Sequence, residues 1–452
     1  MGSIIQIFKD FFLLFTTIYI VYWVLKDYNK GLNIYLYFFA IIVLLGLNRV
    51  MYFEKIILPL VIWISIYKKN SQLIKINILY VALFIYTFLI TYVHGLSMID
   101  DYSEGIYLFG FCLLIFSNYL FKKENNALSI VFFVWLITIG YALSFIIFGD
   151  HLFSIANINS TDRRMILNTG IVSSTDIGVD LNYFACGQSL GAIITLNFIY
   201  YRKYLIDLFK LPVYVENIVK NNLFTTILYL LFVLETWFVF RGLSRGGLLV
   251  LLAGVITFMI IQKKIKFLLY GCLFLLVSYL ILVKVGIIAL FVERMLNDQS
   301  GSSGRDLIWI GVFNAMKSHG GYLQIIFGSG NGWPWWKFWH QSFFDQGLMP
   351  STHNQFISIW INFGIVGLTL FFIPIIIGIR NCLKNRNPIN NIRIVLFVCV
   401  FVESLSLEPF VFARYIWFLL ALATTYTPNI KKSIKGFSVK RDNKNPIDEI
   451  YN

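Results

Sequence analysis

Apolar residues in this chain fall in long unbroken runs, such as Leu223–Phe240 and Leu248–Ile261, and they do not alternate with polar ones. That pattern excludes a membrane barrel, whose strands alternate faces residue by residue. It also excludes a water-soluble domain, because 58% of the chain is hydrophobic and only 13% is charged, where a soluble protein is about a quarter charged. The remaining solution is a bundle of membrane helices, which satisfy their backbone hydrogen bonds internally in lipid.

A helix crosses a bilayer in about 20 residues. On that basis the sequence predicts spans near 4–25, 32–48, 74–93, 105–121, 127–148, 182–201, 222–240, 246–262, 265–286, 354–378, 391–407 and 409–426. The expected fold is an all-α polytopic membrane protein of twelve transmembrane helices, or thirteen if the short run Ile56–Tyr67 also crosses. Residues 1–286 then hold the first nine or ten helices with an external loop at 150–181, 287–353 a large loop, 354–426 the last helices, and 427–452 a basic tail.

Basic clusters orient the bundle. Lys68/Lys69/Lys75, Lys122/Lys123, Arg202/Lys203/Lys210, Lys263/Lys264/Lys266, Arg380/Lys384/Arg386/Arg393 and the tail fall on one side, which the positive-inside rule makes cytoplasmic. The net charge of +14 is explained in this way and does not call for a nucleic-acid partner. The opposite side receives His94–Glu104, Asp150–Leu181, Arg241–Gly247 and Val292–His353, and with them all five histidines. The five cysteines lie far apart without CxxC spacing, and the four that sit in apolar runs read as small buried hydrophobes. No cleavable signal peptide is read at the start, where the first run lacks a basic lead and a small-residue cleavage site.

The basic residues of the external segments are mostly arginine: Arg163, Arg164, Arg241, Arg245, Arg294 and Arg305. The guanidinium is a planar fork that grips phosphate in two-pronged fashion. Two of these arginines sit in a polar break, Arg241-Gly-Leu-Ser-Arg245-Gly-Gly247, between two apolar runs, where charge is expensive and calls for an anionic partner. In the long external segment, Arg305–Ser318 carries Ile308, Val312 and Met316 at helical spacing and predicts an amphipathic helix at the membrane surface. Phe327-Gly-Ser-Gly-Asn-Gly332 reads as a turn, since it lacks the GK[ST] ending of a phosphate loop. Trp335, Trp336 and Trp339 suit a membrane interface or a sugar-stacking surface. His353 and Asn354 stand directly before an apolar run, where a helix start offers free N–H groups to an anion; Asn354 or Thr352 also fits as a simple helix cap.

Four stretches in order resemble the O-antigen ligase/polymerase superfamily. They are Arg163-Arg164 with Asp180-Leu-Asn182, then Ser244-Arg245-Gly-Gly-Leu-Leu, then Gly304-Arg305-Asp-Leu-Ile-Trp309 followed by Gly328-Ser-Gly330-Asn-Gly332, and last His353-Asn354-Gln-Phe-Ile with Phe363-Gly364-Ile-Val-Gly367-Leu. The agreement covers roughly 160–375; residues before 150 match only as generic spans, and Arg241, four positions ahead of Arg245, departs from the pattern. Within the superfamily the chain most resembles a Wzy-type O-antigen polymerase.

The resemblance implies a GT-C-like helical fold and a glycosyltransferase at the periplasmic face of the bacterial inner membrane. Its substrates would be undecaprenyl-pyrophosphate-linked glycans, with no metal and no other cofactor. The growing glycan would pass to a hydroxyl of the next lipid-linked repeat, with inversion. His353 is the expected base and Arg245 and Arg305 the expected charge-stabilising residues. Arg163, Arg164, Arg241 and Asn354 would add contacts to the pyrophosphate, and Asp176, Asp180 and Glu293 are the acidic alternatives for the base. Membrane lipids and a separate chain-length regulator are the expected partners. The ligase reaction, which moves finished polymer to lipid A-core, shares these motifs. A lipid-linked oligosaccharide transporter fits the span number, but transporters keep their polar sites at the bilayer midplane.

Overall fold

The computed structural model describes residues 78–93, 130–143, 181–209, 222–241, 244–264, 305–319, 321–330, 353–407 and 415–424, with isolated positions besides. Among the described residues every regular element is a helix: α1 (Ile78–Val93), α2 (Ile130–Leu143), α3 (Leu181–Phe209), α4 (Asn222–Arg241), α5 (Arg245–Ile261), α6 (Arg305–His319), α7 (Tyr322–Phe327), α8 (Gln355–Lys384), α9 (Pro388–Ser406) and α10 (Tyr415–Thr424). Asn222–Phe240, α8 and α9 are long and apolar enough to cross a membrane; α5, α2 and most of α1 are shorter apolar helices. The expected spans at 32–48, 105–121 and 265–286, the run 56–67 and the tail lie outside the described residues, so the helices seen agree with an all-α bundle without fixing the number of crossings.

Three boundaries differ from those expected. Helix α3 continues to Phe209, well past the apolar run that ends near 201. Helix α8 runs on to Lys384. Helix α9 begins at Pro388, capped by Asn387 accepting from the Asn390 amide at 2.7 Å, with proline at its first turn where no backbone donor is missed. That early start places Arg393 inside the bundle and not in a basic loop: it is buried, and donates to the Leu422 carbonyl at 2.6 Å and to Asn390 Oδ1 at 3.0 Å.

The core of the bundle is α3, α5 and α9 with α4, α8 and α10 around them. Close approach of α5 rests on glycine. A Cβ on Gly254 would lie 2.6 Å from Ile193 of α3 and 2.8 Å from the Cys399 sulfur of α9, and one on Gly247 would lie 2.7 Å from the Ala185 methyl. Small residues let helix backbones come together where lipid gives no hydrophobic drive between helices.

A buried polar network ties α2, α3 and α4. Trp135 Nε1 donates to Thr195 Oγ1 at 2.7 Å, and Thr195 Oγ1 to Glu235 Oε2 at 2.7 Å. Thr138 Oγ1 lies 3.4 Å from Glu235 Oε1, and Gln188 Nε2 donates to the Thr138 carbonyl at 2.9 Å. Glu235 is thereby held by hydroxyl donors inside an apolar helix, as a buried carboxyl requires.

Hydrogen bonds also pin both ends of the bundle. At one end Tyr201 of α3 takes Asn391 of α9, at 2.9 Å, and Gln262 beyond α5. Lys263, Lys264, Lys384 and Arg386 belong to that end by their places at helix termini. At the other end the starts of α3, α5 and α8 meet the C-terminal turn of α9.

Candidate functional site

The end of α9 gathers two of the predicted site segments. Ser244 caps α5, its side chain accepting from the Gly247 amide at 3.2 Å, so Arg245 is the first residue of the helix and is half-buried. Gly246 comes so close to α9 that a Cβ there would lie 2.7 Å from the Ser406 hydroxyl oxygen. Ser189 of α3 reaches the Gly247 carbonyl at 2.7 Å from below. The Ser-Arg-Gly-Gly run is therefore accounted for residue by residue. The serine caps, and the glycines let α3 and α9 close around the arginine's own turn.

His353 and Asn354 arrive at the same place from the other direction. Asn354 is the cap of α8; its Oδ1 accepts from Phe356 at 3.0 Å and Ile357 at 3.1 Å. Its amide donates to the Leu405 carbonyl at 3.3 Å, and the Gln355 amide to the Leu407 carbonyl at 3.1 Å. The start of α8 is thus bonded to the residues on either side of Ser406, while the start of α5 packs on Ser406 itself. His353 precedes the cap, half-buried, with φ of 50°, a left-handed conformation that histidine adopts more readily than most residues. Two helix starts side by side direct two positive dipole ends to the end of α9.

Arg305 opens α6 and is half-buried. The helix begins where the sequence predicts and carries the expected apolar face in part: Val312 is fully buried and packs with Ile308, Ile325, Ile357, Trp360 and Ile361. Phe313 and Trp360 lie 5.2 Å apart, ring to ring. The helix that Arg305 begins is therefore fastened to the first turns of α8, directly after His353 and Asn354.

The glycine-rich run does more than turn. Gly364 breaks α8 with φ of 65°, and the carbonyls released by the break are taken up from outside the helix. The Ser329 amide donates to Ile361 at 3.2 Å, the Gly330 amide to Asn362 at 2.9 Å, and the Tyr86 hydroxyl to Phe363 at 3.1 Å and Phe327 at 2.5 Å. Gly328 and Gly364 both have positive φ, and a Cβ on either would strike the other segment's backbone. Two motifs that stand apart in the sequence are thus two sides of one joint, which holds α6 and α7 against α8.

Arg241 is the last residue of α4, four positions from Arg245. Arg163, Arg164, Asp176, Asp180 and Glu293 lie outside the described residues. Among the described residues no three His, Cys, Asp or Glu side chains come together as a metal-binding group.

One acidic residue escaped sequence reasoning. Glu403 is wholly buried in the last turns of α9, and neither of its carboxyl oxygens has a hydrogen-bond partner among the described residues. Its own carbonyl accepts from the Leu407 amide at 2.9 Å and the Ser406 hydroxyl at 3.2 Å, which puts it one turn beneath the junction. A lone acid in an apolar span, within Val398-Cys-Val-Phe-Val-Glu403-Ser, is the signal that marks it.

Comparison with known proteins agrees with this part of the chain. Residues 230–372 match the family model described as O-Antigen ligase (Wzy_C), a stretch that includes Arg241, Arg245, Arg305, the glycine joint, His353 and Asn354. No curated protein and no solved structure matches the chain. Residues 230–372, in which Arg245 begins a helix and His353 precedes one, are thus similar to the O-antigen ligase family over about a third of the chain.

Proposed function

We propose that this chain polymerises lipid-linked oligosaccharide repeats, transferring a growing glycan from undecaprenyl pyrophosphate to a hydroxyl of the next undecaprenyl-pyrophosphate-linked repeat at the periplasmic face of the inner membrane. The observation that carries this reading is the meeting of the Arg245 and His353 segments on the last turn of α9.

A sugar pyrophosphate needs its leaving charge met and its attacking hydroxyl deprotonated. Arg245 at a helix start supplies fixed positive charge where negative charge grows. His353 supplies a base that is neutral in part near pH 7. The acceptor proton passes to His353, and the acceptor oxygen bonds to the anomeric carbon. The bond from that carbon to the pyrophosphate oxygen breaks, and its electron pair leaves with the lipid pyrophosphate. Attack opposite the leaving group inverts the anomeric centre. Arg305, Arg241, Arg163 and Arg164 add charge along the lipid pyrophosphate, and a chain-length regulator sets when extension stops.

The description of the matched family favours a second reading, ligation of finished polymer to lipid A-core. Deleting the gene separates the two. Loss of a polymerase leaves single repeats on the core, and loss of a ligase leaves a bare core with lipid-linked polymer accumulating.

A further inference from the structure

We infer that α7, with the exposed face of α6, is immersed in the bilayer leaflet on the side where α5 and α8 begin, and that its apolar surface is covered by lipid acyl chains. This placement stands apart from the transfer chemistry and holds whichever reaction the site performs.

No residue of α7 is buried and none is charged. Tyr322 and Leu323 are 87% and 70% exposed, and Ile326 and Phe327 are exposed beside them. Ile310 and Phe313 of α6 are exposed as well. Apolar surface gathered on one element in this way marks an interaction site, and the lack of charge on α7 gives a soluble partner nothing to pair with.

The glycine joint fixes how deep this surface lies. Gly328, directly after α7, meets α8 at Asn362 and Phe363. Gly364 is nine residues past the start of α8, about 13 Å along the axis at 1.5 Å per residue. Helix α8 has 30 residues and is apolar enough to cross a membrane. Its length of about 45 Å matches a bilayer with both headgroup layers, of which about 30 Å is hydrocarbon. The joint then falls about 6 Å inside the hydrocarbon boundary, a depth at which interfacial helices bury their apolar faces.

The backbone of the joint suits that depth. Non-helical backbone inside a membrane is tolerated only where protein groups satisfy it. Three consecutive carbonyls at the break in α8, those of Ile361, Asn362 and Phe363, accept from Ser329, Gly330 and the Tyr86 hydroxyl. The same hydroxyl reaches the Phe327 carbonyl at the end of α7. The surface of α7 also continues into that of the neighbouring spans. Ile85, Phe88 and Leu89, around Tyr86 in α1, are exposed, and so is Ile365 beside the break in α8. Lipid that covers these side chains covers α7 too.

Depth is measured by spin labelling of the full-length chain in phosphatidylcholine vesicles. Leu323→Cys and, separately, Ile326→Cys carry a nitroxide. Both positions are exposed, so the fold is expected to be kept, and unfolding midpoints check it; one folded variant suffices. Ile376→Cys, on an exposed flank of α8, is the hydrocarbon reference, and Lys384→Cys, at the exposed end of the same helix, the water reference. Wild type taken through the same labelling gives the background from native cysteines, of which Cys186, Cys382 and Cys399 are buried. Collisions with oxygen, which enters lipid, are compared with collisions with a water-soluble nickel chelate. The expected oxygen-to-nickel ratio is close to that of Ile376 and well above that of Lys384, at a depth of about 5–10 Å below the headgroup boundary. A ratio like that of Lys384 means that water covers α7 and overturns the placement. Few collisions with either reagent mean that other protein covers it. Spin–spin broadening that fades on dilution with unlabelled chain means that a second copy does. Either of these results overturns the placement as well.

Discussion

The side-chain amide of Asn354 lies 3.3 Å from the Leu405 carbonyl, so a single residue both caps α8 and binds it to the end of α9. Removing both interactions should cost more than removing one. Asn354→Ala loses the cap, worth about 1 kcal/mol, and the tie to α9. Asn354→Asp keeps an oxygen for Phe356 and Ile357 and loses only the tie. Thermal unfolding in detergent should rank them wild type, Asp, Ala; equal midpoints for all three would show that the cap contributes nothing to stability.

The joint between Gly328 and Gly364 makes a second prediction. Gly364→Ala forces a side chain into a left-handed conformation, at about 1–3 kcal/mol, and into the backbone of the 326–328 segment. The α6–α7 segment should then detach. Hydrogen exchange over 305–330 should rise sharply while exchange in α3 and α5 stays at its wild-type level.

The buried network gives a third. Thr195→Val removes the donor to Glu235 and the acceptor for Trp135 together. Leaving buried polar groups unpaired costs about 1–3 kcal/mol each. Glu235→Gln, which keeps size and one acceptor, should be milder. Comparing unfolding midpoints of the two variants decides the point; a harmless Thr195→Val would mean that the network is rehydrated.

Helix packing gives a fourth. Gly254→Val meets Ile193 and Cys399 at distances too short to accommodate, and overpacking of this kind costs about 1–3 kcal/mol. Lower thermal stability with a loosened α3–α5–α9 contact is expected. Replacing Cys399 by alanine in the same chain should recover part of the loss, because the sulfur is one of the two obstructions.

Much of the site was legible because its signals are local. The Ser-Arg-Gly-Gly run was read for its arginines, as a polar break between two apolar runs, and the break is found between α4 and α5; that Ser244 caps α5 and that Gly247 admits α3 was not read from it. The amphipathic spacing after Arg305 likewise yields α6. Asn354 left two readings open, cap or anion contact, and the structure shows its oxygen engaged in the cap. The pairing of Gly328 with Gly364 was not legible, since each motif reads alone as a turn or a helix glycine and only the fold brings them together. Glu403 was missed for a different reason. An apolar span was assigned by its average, and one acid hardly changes an average, although the free energy of burying that one acid is what singles it out. Glu235 was passed over in the same way.

The central claim is that Arg245 and His353 act together at the end of α9 on a lipid pyrophosphate donor. The direct measurement is chain extension by purified protein in detergent or vesicles, supplied with undecaprenyl-pyrophosphate-linked repeats and no ion gradient, with products resolved by length. Wild type should produce a ladder of lengthening glycans. Arg245→Ala and His353→Ala, folded by their unfolding midpoints, should each lose transfer by about a hundredfold or more, and Arg245→Lys should recover little, because a point charge does not replace the fork. A near-normal ladder from either alanine variant would contradict the account.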